Sequence, residues 1–326
     1  MHADKRAGKL TQLQKLYLEI FRIRKIEEAI ANEYPRQQMR CPTHLSIGQE
    51  ASSVGICSLL VDGDLMVSTH RGHAHYLAKG GSLRGLLCEL HGKGDGCGRG
   101  QAGSMHLIDR SVGFCGSTSI VGGTIPIGVG LAFAKKLRRE GGIVVVCIGD
   151  AAIEEGVFHE SANFASLHNL PVAFVCENNL YSCYTHIRDR QPNRGMQNIA
   201  LAHDMSYYSC DGNDAFAITK HINFSKPRNG YGPIFIELET YRYHRHCGPE
   251  PDDHLNYRDE NELKYWLERD PLGVTAKQLH EASEWNGITD HFLKIEDEIQ
   301  FEMEYARTAK YPEQWELGAY EYKITD

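Results

Sequence analysis

The chain has 326 residues, 41% of them hydrophobic and 24% charged, with a formal net charge of −8. That is long and apolar enough for a full hydrophobic core, and too acidic to offer the basic footprint that nucleic acids require. No apolar run approaches a membrane span and no secretory signal is visible, so a soluble cytoplasmic protein is expected. The ten cysteines are scattered, without a Cys-x-x-Cys pair. Cys147 and Cys176 lie inside apolar runs, where a thiol behaves as a small core hydrophobe, so reduced cysteines are expected.

In chain order, Leu13, Leu16, Tyr17, Ile20, Ile23 and Ile30 recur at helical spacing in a charged stretch, predicting an amphipathic helix. Acidic residues among its lysines and arginines argue against an organelle transit peptide. The glycine-rich stretch from about residue 80 to 130 is too apolar and varied for a linker, and predicts closely packed loops and helix starts. Residues 143–148 and 171–176 are continuous apolar runs, as expected of strands covered on both faces. Val157, Phe158, Phe164, Ala165 and Leu167 between them suit one helix face. A third run, residues 233–238, is interrupted only by Glu237. Strand–helix–strand alternation predicts an α/β fold, a mostly parallel sheet with helices on both faces. We divide the chain into an N-terminal helical extension (1–40), an α/β domain (41–270) and a charged C-terminal helical extension (271–326).

The segment "IGDAAIEEGVFHESANFASLHNLPVAFVCENNLYS" places Asp150 and Asn179 just beyond two strands joined by one crossover. Parallel strands end on the same side, so both residues face the edge where open α/β sheets bind ligands. A carboxylate, a side-chain amide and nearby carbonyls form an oxygen set suited to Mg²⁺ or Ca²⁺, but too weakly charged to bind tightly without an outside ligand such as a diphosphate. A helix expected to begin near Ala152 would aim its N–H groups at that anion. Taken singly, Gly149-Asp150 reads as a turn and Asn178-Asn179 as a loop. Their joint placement favours a metal site.

This Gly-Asp…Asn-Asn spacing resembles the thiamin diphosphate motif. "THLSIGQEA", "STHRGHAHYLAKG", "GRGQAGSMH", "IVGGTIPIGVG" and "ETYRYHRH" follow in the order found in one family. Together, over about residues 13–270, they resemble the alpha subunit of thiamin diphosphate-dependent 2-oxo acid dehydrogenases, most closely the pyruvate and acetoin type. The resemblance implies a thiamin diphosphate-binding fold, with Asp150, the Asn179 side chain and the Tyr181 carbonyl as Mg²⁺ ligands. It places the Ala151 and Ala152 backbone against the diphosphate, with Arg71 and His246 as diphosphate-binding and active-site cations. The Val121 backbone would hold the aminopyrimidine, with Ser119 a nearby cofactor contact and His44 and His70 as catalytic residues on the substrate side. His246, beyond the last predicted strand, is also expected to titrate near neutral pH and act in catalysis.

Other readings of these residues are weaker. His70, His73 and His75 cluster like zinc ligands. The glycines from Gly122 to Gly130 suggest a dinucleotide loop, but they follow no clear strand and Pro126 interrupts them.

Some residues depart from the family pattern. Ala151 replaces a glycine, which is tolerable only if φ is negative. Glu154 and Glu155 crowd the diphosphate with negative charge, and Arg245 could extend over cofactor or substrate. Cys247-Gly248-Pro249 replaces a regulatory serine region. The glutamate that activates thiamin resides, in this family, in a pyrimidine-binding domain for which this chain has no room. The resemblance therefore implies a separate beta subunit, a heterotetramer of two alpha and two beta chains, and transfer of a two-carbon unit to a lipoyl acyltransferase. The alternatives are acyl transfer to a sugar or specialised metabolite without lipoamide, or a non-catalytic assembly subunit. Residues 185–196 and 244–261 are poor in apolar side chains and are expected to move without cofactor.

Overall fold

The computed structural model describes residues 10–39 and 41–313. Residues 1–9, 40 and 314–326, parts of the two terminal extensions expected from the sequence, lie outside them. The central sheet contains β1 (Leu65–Ser68), β2 (Phe114–Ser117), β3 (Val144–Gly149), β4 (Val172–Asn178), β7 (Ser206–Asp211) and β8 (Ile234–Glu239). Its order is β2-β1-β3-β4-β8-β7 and every pairing is parallel. A small antiparallel ribbon, β5 (Tyr181–Ser182) with β6 (Thr185–His186), follows β4 directly. The three predicted runs are β3, β4 and β8.

Alternation along the strands divides the core in two, as the period-2 geometry of a strand requires. Val144, Val146, Ile148, Val172, Phe174 and Cys176 face one side, which is covered by α5 (Thr124–Arg138), α6 (Gly156–Leu167) and α7 (Met196–Ala202). Gly128 lets α5 approach closely, since a Cβ there would lie 2.4 Å from Val146 Cγ2. Met66, Val145, Cys147, Ala173, Val175, Ile234 and Ile236 face the other side. That side is covered by α1 (Gln12–Glu33), α2 (Glu50–Cys57), α3 (His73–Ala78), α4 (Leu83–Leu90), α8 (Ala215–His221), α11 (Pro271–Glu281) and α12 (Thr289–Thr308). Two further helices, α9 (Ser225–Arg228) and α10 (Glu260–Leu267), lie around this frame.

The predicted first helix is α1. A Thr11–Gln14 capping box closes its N-terminus, and Ile20, Ile23, Ile26 and Ile30 are fully buried in the core that contains Met66 and Val145. Burial of each contributes about 2 kcal/mol. The helix is thus a core layer in its own right. Helix α12 joins the same core through Ile295, Ile299, Met303 and Ala306.

The glycine-rich stretch closes around one carboxylate. Buried Glu89 accepts hydrogen bonds from the backbone N–H of Gly98, Gly100, Ala102 and Gly103 at 2.6–2.9 Å. Gly100 has φ +75°, and a Cβ there would meet the backbone of Gly92 at 2.6 Å, so glycine is required. Among the described residues no helix is long and apolar enough to cross a membrane.

Candidate active site

Because all six strands are parallel, their carboxyl ends share one edge. His70 and Arg71 follow β1, Ser119 and Val121 follow β2, Asp150 to Ala152 follow β3, Asn179 and Tyr181 follow β4, and His246 follows β8. His44 reaches the same place from the loop before α2. All of these residues line one cleft, so the structure brings together every candidate that the motifs pointed to.

On one wall, buried Asp150 receives a hydrogen bond from Arg190, whose guanidinium also pairs with Glu154. Gln191 Nε2 donates to the Asp150 carbonyl (3.0 Å) and to Glu154 (2.8 Å). Burial raises the Asp150 pKa above the usual carboxylate range, and the Arg190 charge opposes it. Glu154 is therefore neutralised rather than left to repel a phosphate. Asn179 Oδ1 accepts from the Tyr181 N–H (3.2 Å), while its Nδ2 donates to Gln49 Oε1 (3.1 Å). The intervening Leu180 has φ +71°, which turns the chain sharply at the strand end.

The helix expected near Ala152 starts later. Helix α6 begins at Gly156, and residues Asp150–Glu154 form a short 3₁₀ turn. The N–H groups near Ala151 and Ala152 thus belong to a tight turn, whose first donors have no partners within it. Ala151 is not among the residues with positive φ, so its methyl group is tolerated.

Elsewhere in the lining of the same cleft, His44, His70 and His246 form a triangle with ring centroids 4.7, 5.0 and 5.2 Å apart. Arg71, 5% exposed, supports them by donating to the Leu45 carbonyl (2.5 Å) and the His246 carbonyl (3.1 Å). Burial, aided by the Arg71 charge, pushes the pKa values of His44, His70 and His246 down to about 2, 3 and 3. His246 therefore does not titrate near neutral pH in the free chain, contrary to expectation, because a protonated ring would be poorly solvated beside a fixed cation. Burial also lowers the Arg71 pKa, to about 10.

The His70, His73, His75 cluster does not converge. His73 pairs with Ser104 Oγ (2.7 Å) and Glu27 (3.2 Å), whereas His75 meets Ser68 Oγ (3.0 Å) and Glu177 (3.5 Å). Arg245 turns toward Glu250 in its own loop (3.3 Å) and does not line the cleft.

Both segments expected to be mobile are braced by polar contacts. Arg190 and Gln191 fasten the first to the site. In the second, Arg242 donates to the His244 and Cys183 carbonyls, and Arg258 donates to those of Arg242 and His244 while pairing with Asp252.

Among the lining residues that the motifs did not single out are Gln49 and Glu177. Glu177 is 6% exposed inside β4, and burial pushes its carboxyl pKa up to about 8 against the Arg71 charge. A lone acid in a run otherwise buried on both faces was the available signal.

An oxygen-ligand wall, a cationic guanidinium and neutral imidazoles at one edge of a parallel sheet define an α/β enzyme class that binds anionic cofactors. The chain belongs to the dehydrogenase E1 component family, which it matches over residues 19–314. It is 33% identical over 305 residues to the alpha subunit of acetoin:2,6-dichlorophenolindophenol oxidoreductase from Bacillus subtilis (strain 168), covering 93% of this chain and 91% of that protein. It is also 33% identical over 289 residues to the pyruvate dehydrogenase E1 component subunit alpha of Rhizobium meliloti (strain 1021), covering 88% and 82%. The mitochondrial counterpart from Solanum tuberosum is 33% identical over 303 residues, covering 88% and 74%. The alpha-subunit resemblance carried by the motifs therefore holds, and the family match continues past residue 270 through α11 and α12.

Proposed function

We propose that this chain is the alpha half of a two-chain, thiamin diphosphate- and Mg²⁺-dependent enzyme. It cleaves the bond beside a carbonyl in pyruvate, acetoin or a related compound, and passes the two-carbon unit to a lipoyl group on an acyltransferase. A beta subunit carries the pyrimidine-binding domain, in a heterotetramer of two alpha and two beta chains. The ten free thiols suit a reducing cytoplasm.

The observation that carries this reading is the meeting of opposite chemistries in one cleft. Asp150, Asn179 and the Tyr181 carbonyl supply hard oxygen ligands, and Asp150 already faces a cationic group, Arg190. These residues fit a divalent cation. The turn at Asp150–Glu154 and the Arg71 guanidinium fit the anion that would complete its shell. Thiamin diphosphate, when bound, supplies the carbanion chemistry. The chain's own residues position, orient and shield. Arg71 fixes charge at the cleft floor, and Val121 and Ser119 offer backbone and hydroxyl groups near its rim. The neutral rings of His44, His70 and His246 can each donate one hydrogen bond from one ring nitrogen and accept one at the other.

The test is co-expression with the beta subunit, followed by assay of pyruvate and acetoin with dichlorophenolindophenol as electron acceptor. The assembled pair should turn over one of them and the purified single chain neither. Turnover by the single chain would overturn the two-chain reading. Silence of a pair shown to hold cofactor would overturn the substrate class.

A further inference from the structure

An asparagine that ligates a cation has a polarity problem. Its amide presents an oxygen at one end and N–H groups at the other, the two ends are nearly the same size, and only the oxygen binds the ion. At Asn179 the nitrogen end is taken by Gln49 Oε1 (3.1 Å), and the Tyr181 N–H marks the oxygen end (3.2 Å). Gln49 has the same ambiguity, and its nitrogen end faces a carboxyl oxygen of Glu177. Gln49 Nε2 lies 3.5 Å from Glu177 Oε2, a long contact in the same sense as the hold on Asn179. A reversed Gln49 would set its N–H groups against those of Asn179.

Little water competes for these groups, since Gln49 is 1% exposed and Asn179 9%. The backbone beneath Gln49 is also pinned. Its N–H donates to the Ser46 carbonyl (2.8 Å), and Gly48, at φ +98°, passes so near Tyr241 that a Cβ would come within 2.4 Å of its carbonyl oxygen. The next residue, Glu50, is held by buried Arg24. The glutamine is thus a short polar rod on a fixed mount, aimed between two strand-end residues of β4.

We propose that Gln49 is a positioning residue for the metal site, holding the Asn179 amide with its oxygen free for the cation, and that the Glu177 contact supports this hold. The inference rests on the reading of Asp150 and Asn179 as metal ligands. It predicts that the need for Gln49 disappears when residue 179 has two equivalent oxygens.

The test is a double-mutant cycle read by Mn²⁺ binding, using electron paramagnetic resonance on the full chain assembled with the beta subunit in the presence of thiamin diphosphate. Gln49→Met, which keeps the length and removes the amide, should weaken Mn²⁺ binding by roughly tenfold, the lower end of what removing an outer partner of a metal ligand costs. In an Asn179→Asp background the same substitution should change affinity by less than about twofold, because a carboxylate has no wrong end. Glu177→Gln, which puts an amide in place of the carboxyl that faces Gln49, perturbs the other end of this chain of contacts. It should weaken binding by several-fold in the parent and not in Asn179→Asp. Unchanged affinity in Gln49→Met and Glu177→Gln, or equal losses in both backgrounds, would overturn the proposal and mark general packing. Asp150→Ala separates the two levels of inference. If it too retains Mn²⁺, the metal-site reading itself fails, whereas its loss with Gln49→Met silent removes only the role of Gln49.

Discussion

The two walls of the cleft handle charge in opposite ways. The Asp150–Asn179 wall sits on adjacent strand ends joined by one crossover, and its buried carboxylate is met by a cation, Arg190. The histidine wall is assembled from three distant loops, and its rings are held neutral beside a buried guanidinium. One wall has its charge answered and the other has charge suppressed. The difference shows where a ligand would add most. A metal ion at Asp150 would have to compete with Arg190, while an anion would meet an Arg71 guanidinium whose hydrogen bonds, among the described residues, go to backbone carbonyls.

The sharpest break of this comparison is Asp150→Ala. It removes the only carboxylate of the proposed ligand set, and should abolish Mg²⁺-dependent binding of thiamin diphosphate measured by calorimetry. Unchanged affinity would transfer the metal to other residues.

His246→Ala acts on the histidine wall. It should lower turnover of the assembled enzyme by roughly a hundredfold, the scale of a lost acid–base group, while leaving the melting temperature nearly unchanged. Arg71 binds the carbonyl of His246 rather than its ring, so truncation leaves that anchor in place. Near-normal turnover with both a natural and an artificial acceptor would reduce His246 to loop scaffolding.

Arg190→Gln should sharpen the contrast. With the competing guanidinium removed, the Mg²⁺-induced rise in melting temperature should increase by a few degrees, and the metal-free protein should melt earlier. A smaller metal-induced rise would mean that Arg190 assists the ion.

The smallest effect is on pH dependence. The folded pKa values of the three histidines lie below their ordinary 6.5, so the unfolded chain takes up protons first. The contribution of these three histidines to stability should be fully present above pH 6.5, and should be lost as pH drops from there toward about 3. His44→Gln should flatten this decline in urea midpoints compared between pH 7 and pH 5. An identical slope would show that His44 does not share in it.

Much of this architecture was legible because buried parallel strands advertise themselves as unbroken apolar runs. Strands β3, β4 and β8 were found that way, and strand parallelism then placed Asp150 and Asn179 together. Strands β1 and β2 have only four residues each, too short to establish a period. Strand β7 lies at the sheet edge and is half-exposed and polar. The 3₁₀ turn at Asp150 escaped because local pattern does not separate it from a helix start. The pKa of His246 escaped because it depends on how near Arg71 lies and how much water is excluded, neither of which has a sequence signature.

Short-range pattern along the chain was enough for the α/β alternation, the ends of the central strands, and the ordered motifs that name the family. The tertiary structure alone decided which histidines meet, that Arg190 answers both Asp150 and Glu154, and that Glu89 gathers the glycine-rich loop. It also decided that Gln49, far from Asn179 in the chain, touches its amide. Periodicity is a property of neighbours along the chain. Hydrogen-bond partners, desolvation and charge pairing are properties of neighbours in space, and those exist only once the sheet has brought distant loops to one edge.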